Sequence, residues 1–258
     1  MSTIALLTDF GDNDGFVGMI KGTIKSLVPD CEIIDITHNI AAFDIRAAAF
    51  VLQKSIRYFP PQTVFVGVVD PGVGSARRIL AAKAGNFYFV APDNGLLSYL
   101  LTDFAAKQVH VVENEELFLP EHGQTFHGRD IMAPIAARLA TGLALEAVGP
   151  ATETYAYLKI PNLLKHARSV IGEIVYVDKF GNMISNITKN DLPRDVELAH
   201  LSCTVGDLKN IRFVNSYSEG RDLAAIISGF GTVEIFVNQG SAASKFGRAI
   251  GTTIGVEG

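Results

Sequence analysis

The spacing of apolar residues predicts alternating strands and helices in the first half of the chain. Short apolar runs at 4–7, 32–36 and 64–69 are typical of buried strands. Between them, apolar residues recur at helical spacing over 16–27 and over 45–52. Strands that alternate with helices form a mostly parallel sheet, so this pattern predicts an α/β domain with a mostly parallel sheet.

A hairpin follows, because the strand-like runs 78–84 and 87–91 flank the turn-forming pair Gly85-Asn86. The other elements predicted in this half are a helix that starts at 96–101, a strand at 109–112 and a helix over 131–140.

The helical spacing disappears after the proline-bounded segment 150–161, which we interpret as a linker. It separates a predicted domain at 1–160 from a second one at 168–258. The strands predicted in the second domain are short and are separated by glycine and polar turns, at 169–178, 199–205, 208–214, 223–228, 232–237 and 252–256. Short strands without helices are typical of a small β-barrel or sandwich.

Composition describes a globular protein: 48% of the residues are hydrophobic, 19% are charged and the formal net charge is -5. This acidic balance gives no support for nucleic acid or an anionic membrane surface as a partner. The sequence has neither a signal-peptide pattern nor an apolar run long enough to span a membrane, so we expect a cytoplasmic protein. Cys31 and Cys203 are too far apart in sequence to indicate a metal site or a disulfide framework.

A carboxylate and a guanidinium stand close together at the end of the most apolar strand. Asp70 follows the run 64–69 directly, and the turn 71–74 separates it from Arg77. In an open parallel sheet, ligands bind at the carboxyl ends of the strands. The two side chains could polarise a small polar molecule there, and a plain surface salt bridge is the alternative.

Other polar residues are predicted at the same sheet edge. Asp9 ends the first strand, and Asp12 and Asp14 follow it. A divalent cation is an alternative for these three acids, although the bidentate glutamate of a calcium loop is lacking. His127 precedes a predicted helix, where its charged form is disfavoured, so we expect a neutral imidazole able to accept or donate a proton.

A second cluster lies in the predicted barrel, at 178–182. Asp178 could hold an ammonium group, Phe180 could stack on a planar ring, and Asn182 offers a donor and an acceptor to a heterocycle edge. The alternative is a hairpin turn with a buried aromatic side chain.

Five separated motifs resemble those of the S-adenosylmethionine (SAM) hydroxide adenosyltransferases, relatives of the fluorinases and chlorinases. The motifs are Thr8-Asp9-Phe10-Gly11, Val69-Asp70-Pro71-Gly72-Val73-Gly74 with Arg77, Ala91-Pro92-Asp93-Asn94-Gly95, Phe126-His127-Gly128-Arg129-Asp130 and Asp178-x-Phe180-Gly181-Asn182. The resemblance implies an α/β domain, a C-terminal β-barrel and homotrimers whose sites lie between neighbouring subunits. It also implies hydrolysis of SAM to adenosine and L-methionine by a water or hydroxide that attacks ribose C5′, with no metal and no cofactor.

The resemblance also implies roles for individual residues. Asp70, Arg77 and His127 match the family's water-handling group. The substrate-binding matches are Asp9 for the ribose hydroxyls, Phe43 for the sugar pocket, Asp14 and Asp178 for the methionine amino group, and Phe180, Asn182, Tyr217 and Ala242 for adenine. Two departures concern the methionine carboxylate, because Gly229 and Gln239 stand where relatives have serine and arginine. Ser228 or Ser241 is the expected substitute.

Two alternative functions remain open on the sequence. A non-catalytic sensor of SAM or adenosine would fit the loss of the two expected contacts to the methionine carboxylate. Halide transfer to the same carbon is less favoured, because Asp70 and Gly128 stand where the fluorinase presents hydroxyl groups, and a carboxylate repels a halide ion.

Overall fold

The computed structural model describes residues 2–105, 107–193, 197–247 and 250–258, without the side chain of residue 199. Contacts between residues divide the chain into two compact units, Met1–Lys159 and Ile160–Gly258. Among the described residues, no helix has the length and apolar character needed to cross a membrane.

The first unit is built around one mixed sheet. Its strands are β1 (Thr3–Thr8), β2 (Glu32–Thr37), β3 (Val64–Val68), β4 (Ile79–Ala84), β5 (Phe87–Pro92) and β6 (Lys107–Val111), in the order β2-β1-β3-β5-β4-β6. The first four strands of that order are parallel, and β4 runs antiparallel to both β5 and β6. The predicted hairpin is therefore confirmed as the β4–β5 pair.

Helices cover both faces of this sheet. They are α1 (Phe16–Leu27), α2 (Ile45–Ser55), α3 (Ser98–Asp103) and α4 (Ala133–Ala140). Alternate residues of β1 and β3, such as Leu6 and Val66, pack against Ile20 of α1 and Ile135 of α4. On the opposite face Phe65 is fully buried, which explains why the strand sequences read as unbroken apolar runs.

The second unit is an antiparallel, nearly closed barrel. Its elements are β7 (Leu164–Lys165), β8 (Ser169–Val177), β9 (Met183–Thr188), β10 (Ser202–Val205), β11 (Leu208–Arg212), β12 (Leu223–Ile227), β13 (Thr232–Val237), α5 (Ala242–Phe246) and β14 (Thr253–Glu257). The strand order is β11-β10-β14-β8-β9-β13-β12, and a bridge between Phe213 and Ala225 joins its two ends.

The predicted fold class is confirmed, and the barrel rather than the sandwich is present. One strand was missed, and one local prediction was wrong. The segment Met183–Thr188 is a strand that the sequence pattern did not predict, and Ala242–Phe246 is a short helix in a region expected to have none. Ser241 caps that helix by accepting a hydrogen bond from the backbone N–H of Ser244.

Candidate active site

The strand order of the first unit reverses next to β1, because β2 lies on one side of it and β3 on the other. Such a switch point leaves a crevice at the carboxyl ends of the strands. Asp9 follows β1 directly, and Asp70 follows β3 by two residues. The topology therefore brings together two carboxylates that lie far apart in sequence.

Asp70 and Arg77 form a tight, mostly buried ion pair. The Arg77 Nε atom lies 3.0 Å from both carboxylate oxygens, and Nη2 lies 2.5 Å from Oδ2. Only 6% of the Asp70 side chain and 11% of the Arg77 side chain are exposed. The alternative of a plain surface salt bridge is therefore wrong.

Arg77 also joins this pair to His127, since its Nη2 lies 2.7 Å from the Nδ1 atom of the imidazole. A guanidinium only donates hydrogen bonds, so Nδ1 accepts and the ring proton stays on Nε2. Burial lowers the pKa of His127 below its ordinary value of 6.5, and the charge of Arg77 lowers it further. The ring is therefore neutral at pH 7, and Nε2–H is its available donor.

The turn between Asp70 and Arg77 packs against the segment that leads to His127. Gly74 has a φ of +78°, and a β-carbon there would lie 2.6 Å from the carbonyl oxygen of Gln124. The two loops can approach this closely only because residue 74 is a glycine. This close approach brings the turn that leads to Arg77 next to the segment that leads to His127.

A cleft of about 690 Å³ opens above these residues. The expected site residues in its wall are Asp9, Phe43, Asp70 and His127. The Asp9 carboxylate accepts a hydrogen bond of 2.9 Å from the backbone N–H of Phe43. Phe43 has a φ of +67° and is 69% exposed. Phe43 therefore presents its ring to solvent at the mouth of the cleft.

The wall also contains residues that sequence reasoning did not select. The rings of Phe10, Phe16 and Phe126 form a cluster with centroids 5.3 to 5.9 Å apart. The guanidinium of Arg129 lies 4.8 Å from the Phe126 centroid and is paired with the buried Asp130. Phe10, Phe126 and Arg129 lie inside two of the quoted motifs, which is the signal that could have indicated them, whereas Phe16 is the first residue of α1 and lies in none of these motifs.

The second unit has its own cleft, of about 500 Å³, lined by Asp178, Phe180, Asn182, Tyr217 and residues 237–240. The Asp178 carboxylate accepts hydrogen bonds of 2.9 Å from the backbone N–H groups of Phe180 and Asn182 and from the Asn182 side chain. The segment is thus a hairpin turn between β8 and β9. Its aromatic residue is not buried, since Phe180 is 71% exposed.

Four expected site residues line neither cleft: Arg77, Asp14, Ser228 and Ala242. Arg77 contacts Asp70 and His127, which do line the first cleft. Asp14 is exposed in the loop after β1. Ser228 accepts a hydrogen bond from the backbone N–H of Phe230. Ala242 is fully buried in the barrel core, while the backbone N–H of Ala243 donates to the carbonyl of Gly181.

The cation alternative for the loop after β1 finds no support in the part of the chain that the structure describes. No group of three or more His, Cys, Asp or Glu side chains is arranged there to hold a metal ion. Asp9 instead binds the Phe43 backbone, and Asp12 accepts a hydrogen bond of 3.2 Å from the side chain of Asn39.

Both units match models of known domain families, in chain order. Residues 4–149 match the SAM hydroxide adenosyltransferase N-terminal domain, and residues 172–255 match the SAM hydroxide adenosyltransferase C-terminal domain. The chain belongs to the SAM hydroxide adenosyltransferase family. The resemblance inferred from the five motifs is therefore confirmed.

Named relatives of this family cover most of the chain. A protein named (R)-S-adenosyl-L-methionine hydrolase from Salinispora arenicola is 40% identical over 203 residues, which are 76% of this chain and 77% of that protein. One of the same name from Salinispora tropica is 36% identical over 250 residues, 95% of this chain and 93% of that protein. A fluorinase from an Actinoplanes species is more distant, at 28% identity over 74% of this chain and 73% of its own.

A solved structure of an uncharacterized conserved protein from Thermotoga maritima has the same fold. Its TM-score is 0.92 at 37% identity, and the alignment covers 99% of this chain and 100% of that one.

Proposed function

We propose that this protein hydrolyses SAM to adenosine and L-methionine. The observation that carries the proposal is the contact chain from Asp70 through Arg77 to His127 at the switch point of the sheet. The names of the relatives at 36–40% identity support the same reaction.

The reaction forms a bond between a water oxygen and ribose C5′ and breaks the bond from C5′ to the sulfonium sulfur. The electron pair of that bond returns to sulfur, which becomes the neutral thioether of methionine, and one water proton is released. Because a sulfonium is a good leaving group, no acid has to protonate it. The enzyme must mainly orient the oxygen nucleophile and favour loss of its proton.

Each member of the contact chain has a distinct proposed role in this step. Arg77 supplies the positive charge that favours a hydroxide, and Asp70 accepts a hydrogen bond from the water and orients it. His127 donates from Nε2 to the attacking oxygen, because its Nδ1 is occupied by Arg77. The sequence allowed His127 to accept a proton, and this geometry favours the donor role.

The substrate-binding assignments complete the proposal. Asp9 and Phe43 would contact the ribose, and Phe180, Asn182, Tyr217 and the backbone at Ala242 would surround the adenine. Asp14 and Asp178 would lie near the methionine ammonium, and Ser228 near the carboxylate. We further propose that the protein is a cytoplasmic homotrimer in which the first unit of one subunit and the second unit of its neighbour share a site.

Halide transfer to C5′ is disfavoured by the wall of the cleft. Asp70 would repel a halide ion. Gly128 offers no hydroxyl to a halide ion, and a β-carbon there would lie 3.1 Å from the Val68 side chain.

The test is incubation with SAM in water enriched in oxygen-18, with chromatography and mass spectrometry of the products. We expect adenosine that carries the heavy oxygen at its 5′ position, together with unlabelled L-methionine. Recovery of unchanged SAM that is nevertheless bound by the protein would identify a sensor instead. A product without the label would exclude water as the nucleophile.

A further inference from the structure

Strand β13 carries one carboxylate in an otherwise apolar setting. Glu234 is only 3% exposed, and its register partners on the neighbouring strands are Ile226 and Ile184. Val233 and Ile235 point into the barrel core, so Glu234 and Phe236 share the opposite face of the strand. Burying a carboxylate among such neighbours is unfavourable unless it has a hydrogen-bond partner.

That partner is Tyr217, which is held at two points. Its hydroxyl donates a hydrogen bond of 2.9 Å to Oε1 of Glu234. Its ring packs edge-on against Phe236, with centroids 4.8 Å apart and an interplanar angle of 84°. Tyr217 is nevertheless 47% exposed and lines the cleft with Phe180 and Asn182. It is therefore an oriented aromatic side chain at the edge of a cleft.

We propose that Glu234 is a positioning residue that holds the Tyr217 ring in the orientation in which it packs against a purine base. This inference rests on the proposed function, because the base is the adenine of SAM or adenosine. Glu234 itself lies behind Tyr217 and is not assigned to contact the ligand.

The charge state of Glu234 sets how firmly it holds the ring. Burial raises the pKa of Glu234 to about 7, with a contribution in the same direction from the negative charge of Asp178. Burial and the contact with Glu234 raise the pKa of Tyr217 to about 12, so the hydroxyl keeps its proton. Among the described residues, Tyr217 and Asp178 are the titratable groups that act on Glu234. Its register partners on the neighbouring strands are isoleucines.

A hydrogen bond to an ionised acceptor is roughly twice as strong as one between neutral groups. The Tyr217 ring is therefore held firmly above the pKa of Glu234 and more loosely below it. The affinity for the base should therefore be higher at pH 8 than at pH 6.

The contact between the two side chains can be tested without a nucleoside, by NMR of the seven tyrosines with labelled rings. The Tyr217 signals are identified by their absence in Tyr217→Phe. We expect them to shift with an inflection near pH 7 in the wild-type chain and to lose that inflection in Glu234→Gln, which keeps an acceptor oxygen but cannot ionise. Tyr217 signals without this inflection, or with the same inflection in the variant, would overturn the proposal.

The effect on base binding is tested by calorimetry with adenosine at pH 6 and pH 8, and by SAM kinetics. We expect the wild-type chain to bind adenosine about fivefold more tightly at pH 8 than at pH 6. This factor corresponds to the net free energy of about one hydrogen bond. Glu234→Gln and Tyr217→Phe should bind adenosine at both pH values with the weaker affinity that the wild-type chain has at pH 6. The double variant should bind adenosine no more weakly than either single variant. KM for SAM should rise while kcat stays within about twofold, because the base is remote from the reacting carbon.

Glu257→Gln is the matched control, since it removes an exposed carboxylate from strand β14 of the same unit. It should keep the wild-type pH dependence of adenosine binding.

Additive losses of affinity in the double variant, or a fall in kcat with unchanged KM, would contradict a positioning role for Glu234. If adenosine binding has the expected pH dependence but SAM is not hydrolysed, the positioning role stands and the proposed reaction fails. If SAM is hydrolysed but Glu234→Gln binds adenosine like the wild type, the proposed reaction stands and the positioning role of Glu234 fails.

Discussion

Arg77 links the two residues that we propose to handle the water with it, because its one guanidinium contacts both Asp70 and His127. A guanidinium is planar, always charged at physiological pH and unable to accept a hydrogen bond. It can therefore hold a carboxylate on one edge and fix the tautomer of an imidazole on the other. A lysine has one point charge on a flexible stem and cannot satisfy both partners in fixed positions.

We expect Arg77→Lys to lower kcat for SAM hydrolysis by about 100-fold, the scale of losing one preorganised donor, with little change in KM. Steady-state kinetics would measure this loss. Arg78→Lys is the matched control, because the adjacent Arg78 pairs with Asp93 at 2.6 Å instead of with the cleft residues. Equal losses in both variants would indicate a general loss of stability rather than a role in the reaction.

His127 should make the reaction sensitive to acid. Burial and the charge of Arg77 lower its pKa below the ordinary value of 6.5, so the ring protonates at a lower pH than an exposed histidine does. Protonation puts a second donor against Arg77 and breaks the contact at Nδ1. We therefore expect kcat at saturating SAM to fall on the acid side, with a midpoint below pH 6.5.

His127→Gln separates titration from hydrogen bonding, because a glutamine can accept from Arg77 through its oxygen and donate through its nitrogen. It should retain part of the activity and lose the acid-side fall in kcat. An unchanged acid-side fall in this variant would assign the titration to another group.

At the scale of elements, the loops rather than the strands determine the site. The turn after β3 and the segment before α4 come close enough to join Arg77 to His127 only because residue 74 has no side chain. The chain then enters α4 through a π-helical turn at Gly128–Met132, which buries the Asp130 carboxylate. Such π turns are frequent at functional sites.

Gly74→Ala should both destabilise the protein and lower kcat. Gly142→Ala is the matched control, since Gly142 also has a positive φ, +96°, but nothing lies within 4 Å of a β-carbon there. Each variant should lose about 1–2 kcal/mol in the free energy of unfolding from the left-handed backbone. The further clash with Gln124 should lower kcat about tenfold only in Gly74→Ala, because it moves Arg77 from its partners. Denaturant unfolding and kinetics would measure the two effects, and equal kcat values would contradict this account.

At the scale of the whole molecule, the expected site residues fall into two sets. Asp9, Asp70, Arg77 and His127 belong to the first unit, and Phe180, Asn182 and Tyr217 belong to the second. Our proposal that neighbouring subunits combine these sets makes a prediction about mixed assemblies.

An Asp70→Asn chain and a chain with both Asn182→Ala and Tyr217→Ala should each be nearly inactive at limiting SAM. Co-expression of equal amounts should restore about a quarter of wild-type activity. With random mixing, about half of the sites receive an intact first unit and about half of those also receive an intact second unit from the neighbouring subunit. Light scattering would report the assembly size. Absence of restoration in mixed assemblies would place each site within one chain.

The sequence by itself determined the features that depend on local pattern. Apolar periodicity gave the fold class and most strands, and the strand ends indicated Asp9 and Asp70 as residues of a ligand crevice. Strand β9 was not predicted, because it is short and follows directly on the polar cluster at 178–182. Helix α5 is too short for a helical period to be visible.

The tertiary structure alone decided which side chains meet. The tautomer of His127 depends on Arg77, which is 50 residues away in sequence, and the partner of Tyr217 is 17 residues away on another element. The sequence likewise could not tell that Phe180 is exposed while Ala242 is buried. Periodicity reports which face of an element is apolar, whereas hydrogen-bond partners and burial depend on which elements pack together, and that is a long-range property of the fold.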